Sequence, residues 1–497
     1  MKRNKFSLSH YKLFTGDMGL LIPLTWYEAL PGDSIQQATS ALVRVSPLLS
    51  PVMHPVRVRI HHWFVPNRII WDDWENFITG GDDGKDTSEP PYFSKASIAE
   101  GSLFDYFGVP PASYSPDLEF SALPFRAYNA IYNAHYRDQD LVTELVIDKT
   151  DGEDTTTETD IQNVAWEKDY FTTSRPWEQK GNEVTIPLGD DAPITGIGHG
   201  DGSTWASGPK NAYETDGTGA KSYADYRLTS DGGAPAFAIE EDPNNAGFPN
   251  IRADLSEAGG ISINDLRLAL AIQRYQEARA QYGSRYVEYL RYLGVRSSDR
   301  RLQNPEYLGG GRQVIQFSEV LQTAEGTDPV ATMKGHGIAA MRTNRFRRFF
   351  EEHGIVMTLM SVVPKSIYSQ GLARGFSRQI KEEYYQKELA FLGEQQIINK
   401  ELYTEHSSPD DVFGYQSRYD EYRWLPSSIA GEFRSVLDHW HYARIFAGDI
   451  ALNQSFTDSV PTKRVNAAQQ SDVLYVMANH SIQARRMLQK YAKPRTF

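Results

Sequence analysis

The stretch Val56–Phe77, VRVRIHHWFVPNRIIWDDWENF, decides how the rest of the chain is read. In its first half Val56, Val58, Ile60, His62 and Phe64 fall on one side of an extended chain, and Arg57, Arg59, His61 and Trp63 on the other. This period of two predicts a strand with one apolar face for a packed interior and one cationic, aromatic face suited to a polyanion. The second half gathers Trp71, Asp72, Asp73, Trp74 and Glu75. Carboxylates beside stacking rings are what sugar-cleaving sites use, but no partner lies at a defined spacing, and a solvated loop explains them more simply.

Upstream, strands are expected around Leu20–Tyr27, Ile35–Val45 and Val52–Val65, the first two divided by the turn Leu30-Pro31-Gly32-Asp33. Downstream, Ser262-Ile-Asn-Asp265 resembles a capping box, and Leu268, Ile272 and Tyr275 follow at helical spacing. Gly283 breaks this helix before a second one containing Tyr286, Tyr289 and Leu293. Strands are expected at Val314–Phe317 and Gly354–Val363, and a helix at Arg378–Leu392; Glu432–Phe446 fits either type.

The formal charge of -13 is unevenly placed. Residues 151–260 hold 21 acidic and 7 basic residues, so this glycine-rich segment carries the whole excess. Its Trp166, Trp177, Trp205, Tyr213 and Tyr223 predict an ordered, exposed structure. The ends are basic: Lys2, Arg3 and Lys5 at the start, and Arg485, Arg486, Lys490, Lys493 and Arg495 at the finish, interleaved with Phe6, Tyr11 and Tyr491. Such a composition suits single-stranded nucleic acid. The run RTNRFRRFF (342–350) is a further basic and aromatic segment.

Catalytic and metal signatures are weak. His61-His62 and His439-Trp440-His441 lack an HExxH context, and Gly309-Gly310-Gly311-Arg312 lacks the Gly-Lys-Ser/Thr of a phosphate loop. Residues 82–86 match only part of a calcium loop. With no cysteine, disulfides and thiolate chemistry are excluded. Neither a signal-peptide apolar region nor a run of eighteen apolar residues is present, so no membrane insertion is expected. No enzyme and no cofactor are expected.

The strings LIPLTWYEALPGDS (21–34), FVPNRIIWDDWENF (64–77), RLQNPEYLGGG (301–311), EEHGIVMTLMSV (351–362), LGEQQIINKELY (392–403), VFGYQSRYDEYRWLPS (412–427) and FRSVLDHWHYARIF (433–446) carry a family resemblance. The chain resembles the major capsid proteins of the Microviridae, in particular the gokushovirus-type branch. The resemblance implies a mainly β fold, an eight-stranded antiparallel jelly roll with large inter-strand insertions containing short helices. It divides the chain into an arm and first part of the jelly roll (1–150), an acidic surface protrusion (151–260), and helical insertions, the remaining strands and a basic tail (261–497). It also implies a homo-oligomeric T=1 icosahedral shell, part of the virion and assembled in the bacterial host cytoplasm, around a circular single-stranded DNA genome. An internal scaffolding protein, a DNA pilot protein, a small basic DNA-packaging peptide and a host cell-surface receptor are the implied partners. On this reading Lys2, Arg3, Lys5, Arg57, Arg59, Arg485, Arg486, Lys490, Lys493 and Arg495 line the inner surface, and Trp166, Trp177, Trp205, Tyr213 and Tyr223 lie in the host-facing protrusion. The charged ending SIQARRMLQKYAKPRTF (481–497) departs from the largely apolar tails of the family. The competing readings are a carbohydrate-binding or hydrolysing jelly roll and a stand-alone single-stranded-DNA-binding protein.

Overall fold

The computed structural model describes residues 3–82, 85–185, 194–200, 210–213, 220–230, 235–245, 248–253, 263–282, 286–294, 303–323 and 329–490. Eight strands form its frame: in chain order His10–Gly16, Ile22–Ala29, Ser34–Leu48, Val56–Pro66, Glu306–Val314, Met333–Arg342, Gly354–Pro364 and Leu474–Arg486. In one antiparallel sheet the order is first, eighth, third, sixth; in the other it is second, seventh, fourth, fifth. First with eighth, second with seventh, third with sixth and fourth with fifth are the rungs of one long ribbon rolled into two layers. That is the jelly-roll arrangement. Asn4–Ser7 continues the first strand's edge along Leu474–Arg486, and Phe346–Phe349 lies beside Ser34–Gln37.

Alternation explains the core between the layers. Val43, Val45, Val476 and Ala478 point inward from the first sheet, and Val56, Val58, Ile60, Met360 and Val362 from the second. Each such side chain contributes about 1.5–3 kcal/mol relative to exposure. The second sheet is buried on its other face as well. There Trp63, Val65, Ile355 and Met357 pack beneath Phe125, Tyr128 and Ile131 of the helix Leu123–Ile131. A strand covered on both sides needs apolar residues at every position, and Gly354–Pro364 is buried throughout. The helix is pinned by Arg126, which donates to Asp154 at 2.8 Å with both side chains inaccessible to solvent.

Two insertions interrupt the frame, 67–305 and 365–473. The expected helix at Arg378–Leu392 is absent; the segment forms only the 3-10 turns Lys381–Glu383 and Leu389–Phe391. Its apolar residues find no core, Ile380, Tyr385 and Phe391 being exposed, and short helices depend on such packing. Glu432–Phe446 settles as the turns Gly431–Arg434 and Asp438–Trp440, followed by backbone whose Asp438, His441 and Ala443 carbonyls accept from Arg464. The three glycines 309–311 do not precede a strand but lie inside one. The register shifts between Tyr307 and Gly309, whose φ of 145° favours glycine, and a Cβ on Gly310 would sit 2.3 Å from the Ile60 carbonyl oxygen.

The chain divides into two compact units, Gln179–Arg279 and the remainder. Residues 151–178 therefore stay with the jelly roll. The smaller unit has its own five-stranded sheet, ordered Ala220–Tyr223, Lys210–Tyr213, Ile197–Gly200, Pro235–Glu240, Tyr226–Ser230. Most of the helix Ile263–Tyr282 belongs to the same unit.

Candidate nucleic-acid interface

Every second residue of the first sheet faces away from the core, and these outward positions form one charged surface. Lys5 lies opposite Arg485, which lies opposite Ser34. Two further rungs run Tyr11, Asn479, Ser40, Arg342 and Thr15, Tyr475, Arg44, Ile338. Arg347 and Phe349 extend the face beside Gln36 and Ser34. Lys5, Arg44, Arg342, Arg347 and Arg485 are all exposed. None of the five makes an ion pair with a described residue, and the outward positions of these strands carry no aspartate or glutamate. Tyr11 (71% exposed) and Leu13 (69%) stand among them, and the Arg3 guanidinium lies 4.9 Å from the centre of the Phe349 ring. Unneutralised cations interleaved with open rings are what a phosphate backbone with unstacked bases needs.

This surface unites only part of the residue set expected from sequence. Arg3, Lys5 and Arg485 lie on it; Lys490 is exposed just beyond. Arg486 faces the other way, donating to the Glu28 carbonyl and pairing at 3.0 Å with the buried Asp33. Lys2, Lys493 and Arg495 lie outside the described residues. Arg57 and Arg59 sit on the far side of the second sheet, across the whole sandwich from Lys5 and Arg485, so the two groups do not share a surface. Both arginines pair with Glu167, Arg57 at 2.6 Å. The cationic, aromatic face read from Val56–Phe77 is therefore a covered layer, its Trp63 only 5% exposed.

Arg44 and Arg342 were the less visible members. Their signal was face parity, Arg44 being the one charged residue of an otherwise apolar and small-polar strand, SIQQATSALVRVSPL. The histidine pairs do not converge on a ligand. His62 lies between Thr358 (2.9 Å) and Thr343 (3.1 Å) in the core, while His61 points the opposite way to Tyr136 at 2.7 Å. His441 is engaged with the Phe433 carbonyl. The aromatics assigned to the protrusion are corrected too. Trp166 is buried in the jelly-roll unit, Trp177 is half-buried in that same unit, and Tyr223 is 3% exposed, packed on Ala238. Rings that large stabilise a sheet best by burial. Tyr213 lies on the strand Lys210–Tyr213, and Trp205 falls outside the described residues.

The sequence matches the capsid protein (F protein) family over residues 1–496. The chain belongs to that family. Among its relatives, capsid protein VP1 of Bdellovibrio phage phiMH2K is 37% identical over 477 residues, covering 92% of this chain and 88% of that one. Capsid protein VP1 of Chlamydia phage 1 is 33% identical, with 92% and 89% covered, and that of Spiroplasma virus 4 is 31% identical, with 90% and 85% covered. The protein is thus a Microviridae-type major capsid protein, a structural component of the virion rather than an enzyme, and it self-assembles into a shell. Among the described residues no helix is long and apolar enough to cross a membrane.

Proposed function

We propose that the capsid protein closes into a T=1 icosahedral shell around a circular single-stranded DNA genome, with the outward face of its first sheet turned toward the DNA. One observation carries this reading: five exposed cations, Lys5, Arg44, Arg342, Arg347 and Arg485, stand on outward strand positions that carry no acid, and none of them is ion-paired with a described residue. Charges left unpaired in the subunit are available to a polyanion, whereas Arg57 and Arg59 share Glu167 and lie on the opposite side of the sandwich. The basic tails, Lys2 and residues 490–495, extend the same role. The unit Gln179–Arg279 serves as the protrusion that meets a host cell-surface receptor, its acidity keeping it away from the genome. Assembly takes place in the bacterial host cytoplasm with an internal scaffolding protein, a DNA pilot protein and a small basic packaging peptide as companions.

The test is DNA content per particle. Particles built from an Arg44→Gln/Arg342→Gln/Arg347→Gln subunit are expected to form but to hold less DNA than wild type. Full DNA content in those particles overturns the assignment of this face. Replacing Gln179–Arg279 with a short linker is expected to leave shell formation intact and reduce adsorption to host cells; undiminished adsorption overturns the receptor role.

A further inference from the structure

A second cationic site lies on the opposite side of the sandwich. Where the covering layer over the second sheet ends, a cleft of about 550 Å3 opens between the strand Val56–Pro66 and the segment 164–168. Arg57, Arg59 and Ser361 line its floor, and Arg137 and Lys168 its walls. Three carboxylates face these cations: Glu144 pairs with Arg137 at 3.7 Å, and the other two are each shared. Glu167 is divided between Arg57 and Arg59, and Asp138 between Lys168 and Arg175. With Glu144 included, Arg57, Arg59, Arg137 and Lys168 outnumber Glu167, Asp138 and Glu144 by one charge. His61, also in the lining, adds no charge at neutral pH, since burial, then Arg59 and His135, pull it down to about 4.

The rim adds a further cation. Arg312 is paired with Arg59 across the ladder between Glu306–Val314 and Val56–Pro66; it is exposed and makes no ion pair with a described residue. On the floor, Ser361 is 4% exposed and its hydroxyl has no hydrogen-bond partner among the described residues. Arg57 and Arg59 share the one carboxylate of Glu167, and Arg312 stands beside Arg59 on the neighbouring strand. Burial above all, then Arg57 and Arg312, push Arg59 below its ordinary value. The volume exceeds what a bare oxyanion needs and lies within the range of small-ligand sites. Val164, Ala165 and Tyr136 offer lining for an organic part.

We propose that this cleft binds a phosphate monoester, its dianionic phosphate held by Arg59, Arg312 and the Ser361 hydroxyl and its organic part resting against the 164–166 segment. Arg312 raises the excess to two charges, which the dianion matches, and the planar donor fork of arginine suits its oxygens. Nothing in the argument depends on how the first sheet is used, because the two surfaces lie on opposite sides of the core. The shared chemistry has two natural sources, a nucleotide and a sugar phosphate of a cell-surface glycan.

Isothermal titration of the purified full-length, unassembled subunit separates them. The probes are dAMP, glucose 6-phosphate and inorganic phosphate, with deoxyadenosine and glucose as neutral controls. The phosphates are expected to bind one per chain and the neutral controls not at all. Tighter binding of dAMP identifies a nucleotide site, tighter binding of glucose 6-phosphate a glycan site, and equal affinities a site that reads the phosphate group alone. Arg59→Gln and Arg312→Glu are each expected to weaken binding about ten-fold, the scale of one charge-assisted contact. Arg312 is exposed and takes no part in packing, so its variant reports even if Arg59→Gln does not fold. No binding of any phosphate up to about 10 mM at low salt, well beyond millimolar affinity, overturns the proposal. So does binding that Arg312→Glu leaves unchanged.

Discussion

Neutralising three arginines on the first sheet should change how DNA binding responds to salt, by an amount the structure sets. If Lys5, Arg44, Arg342, Arg347 and Arg485 each neutralise one phosphate, the face accounts for five contacts. For single-stranded DNA the slope of log K against log salt is about -0.7 per contact, so the face contributes about -3.5. Arg44→Gln/Arg342→Gln/Arg347→Gln leaves two contacts and about -1.4. Between 50 and 200 mM salt this face alone then costs the wild type about a hundred-fold in affinity and the variant under about ten-fold. The tails add equally to both proteins, so the difference between slopes, about two units, is the quantity to measure. Fluorescence anisotropy with a labelled oligothymidine and unassembled subunit provides it. Exposed arginines without partners are replaceable at a cost within about 0.5 kcal/mol, so unfolding does not obscure the result. A slope change below about one unit, or an equal change on replacing Arg57 and Arg59, refutes the reasoning.

Three other outcomes follow from the interior. Arg126→Met should destabilise the subunit by about 3–5 kcal/mol in denaturant titration, because it strands the buried Asp154, while Arg126→Met/Asp154→Leu should recover most of that loss; no recovery would mean that packing, not charge, is at issue. His62 and His480, both lowered to about 3 by burial, are neutral in the fold and protonate in the unfolded chain below about 6.5. Stability should therefore be full above that pH and fall as pH drops toward 3, by about 1.4 kcal/mol per pH unit for each histidine, and His480→Asn should flatten the decline by one proton. An unchanged acid limb would contradict this. Gly310→Ala should lose soluble subunit, since its Cβ meets the Ile60 carbonyl; wild-type yield and melting temperature would show that the bulge yields.

Much of the frame was legible because its signals are local. The alternation in Val56–Phe64 placed a strand correctly, and the apolar run from Gly354 another. What stayed hidden depends on which layer covers which face. Nothing near Arg57 in sequence announces that Glu167, more than a hundred residues later, lies over it. The helix Leu123–Ile131 and its buried Arg126 were likewise missed: it is only nine residues long, and its polar Arg126 and Asn129 are buried along with its apolar residues. Arg378–Leu392 failed in the reverse direction. It has helical spacing but no surface to pack on, and the spacing alone does not stabilise a helix. The face proposed for nucleic acid was half visible. The basic ends were plain, but their convergence with Arg44 and Arg342 is a property of strand register, which composition does not contain.

The ladder that sets Lys5 opposite Arg485 also dates the surface it builds. Its members come from the first and last stretches of a 497-residue chain, which takes roughly 25–100 s to synthesise at about 5–20 residues per second. Until the final strand leaves the ribosome, the first strand has no neighbour in the sheet, so Lys5 and Arg485 cannot join the arginines that Ser34–Leu48, Met333–Arg342 and Phe346–Phe349 bring together. The face proposed to meet DNA is thus complete only when the last strand is in place. Chains without that strand are expected to present only part of it, and so non-local a sheet folds slowly.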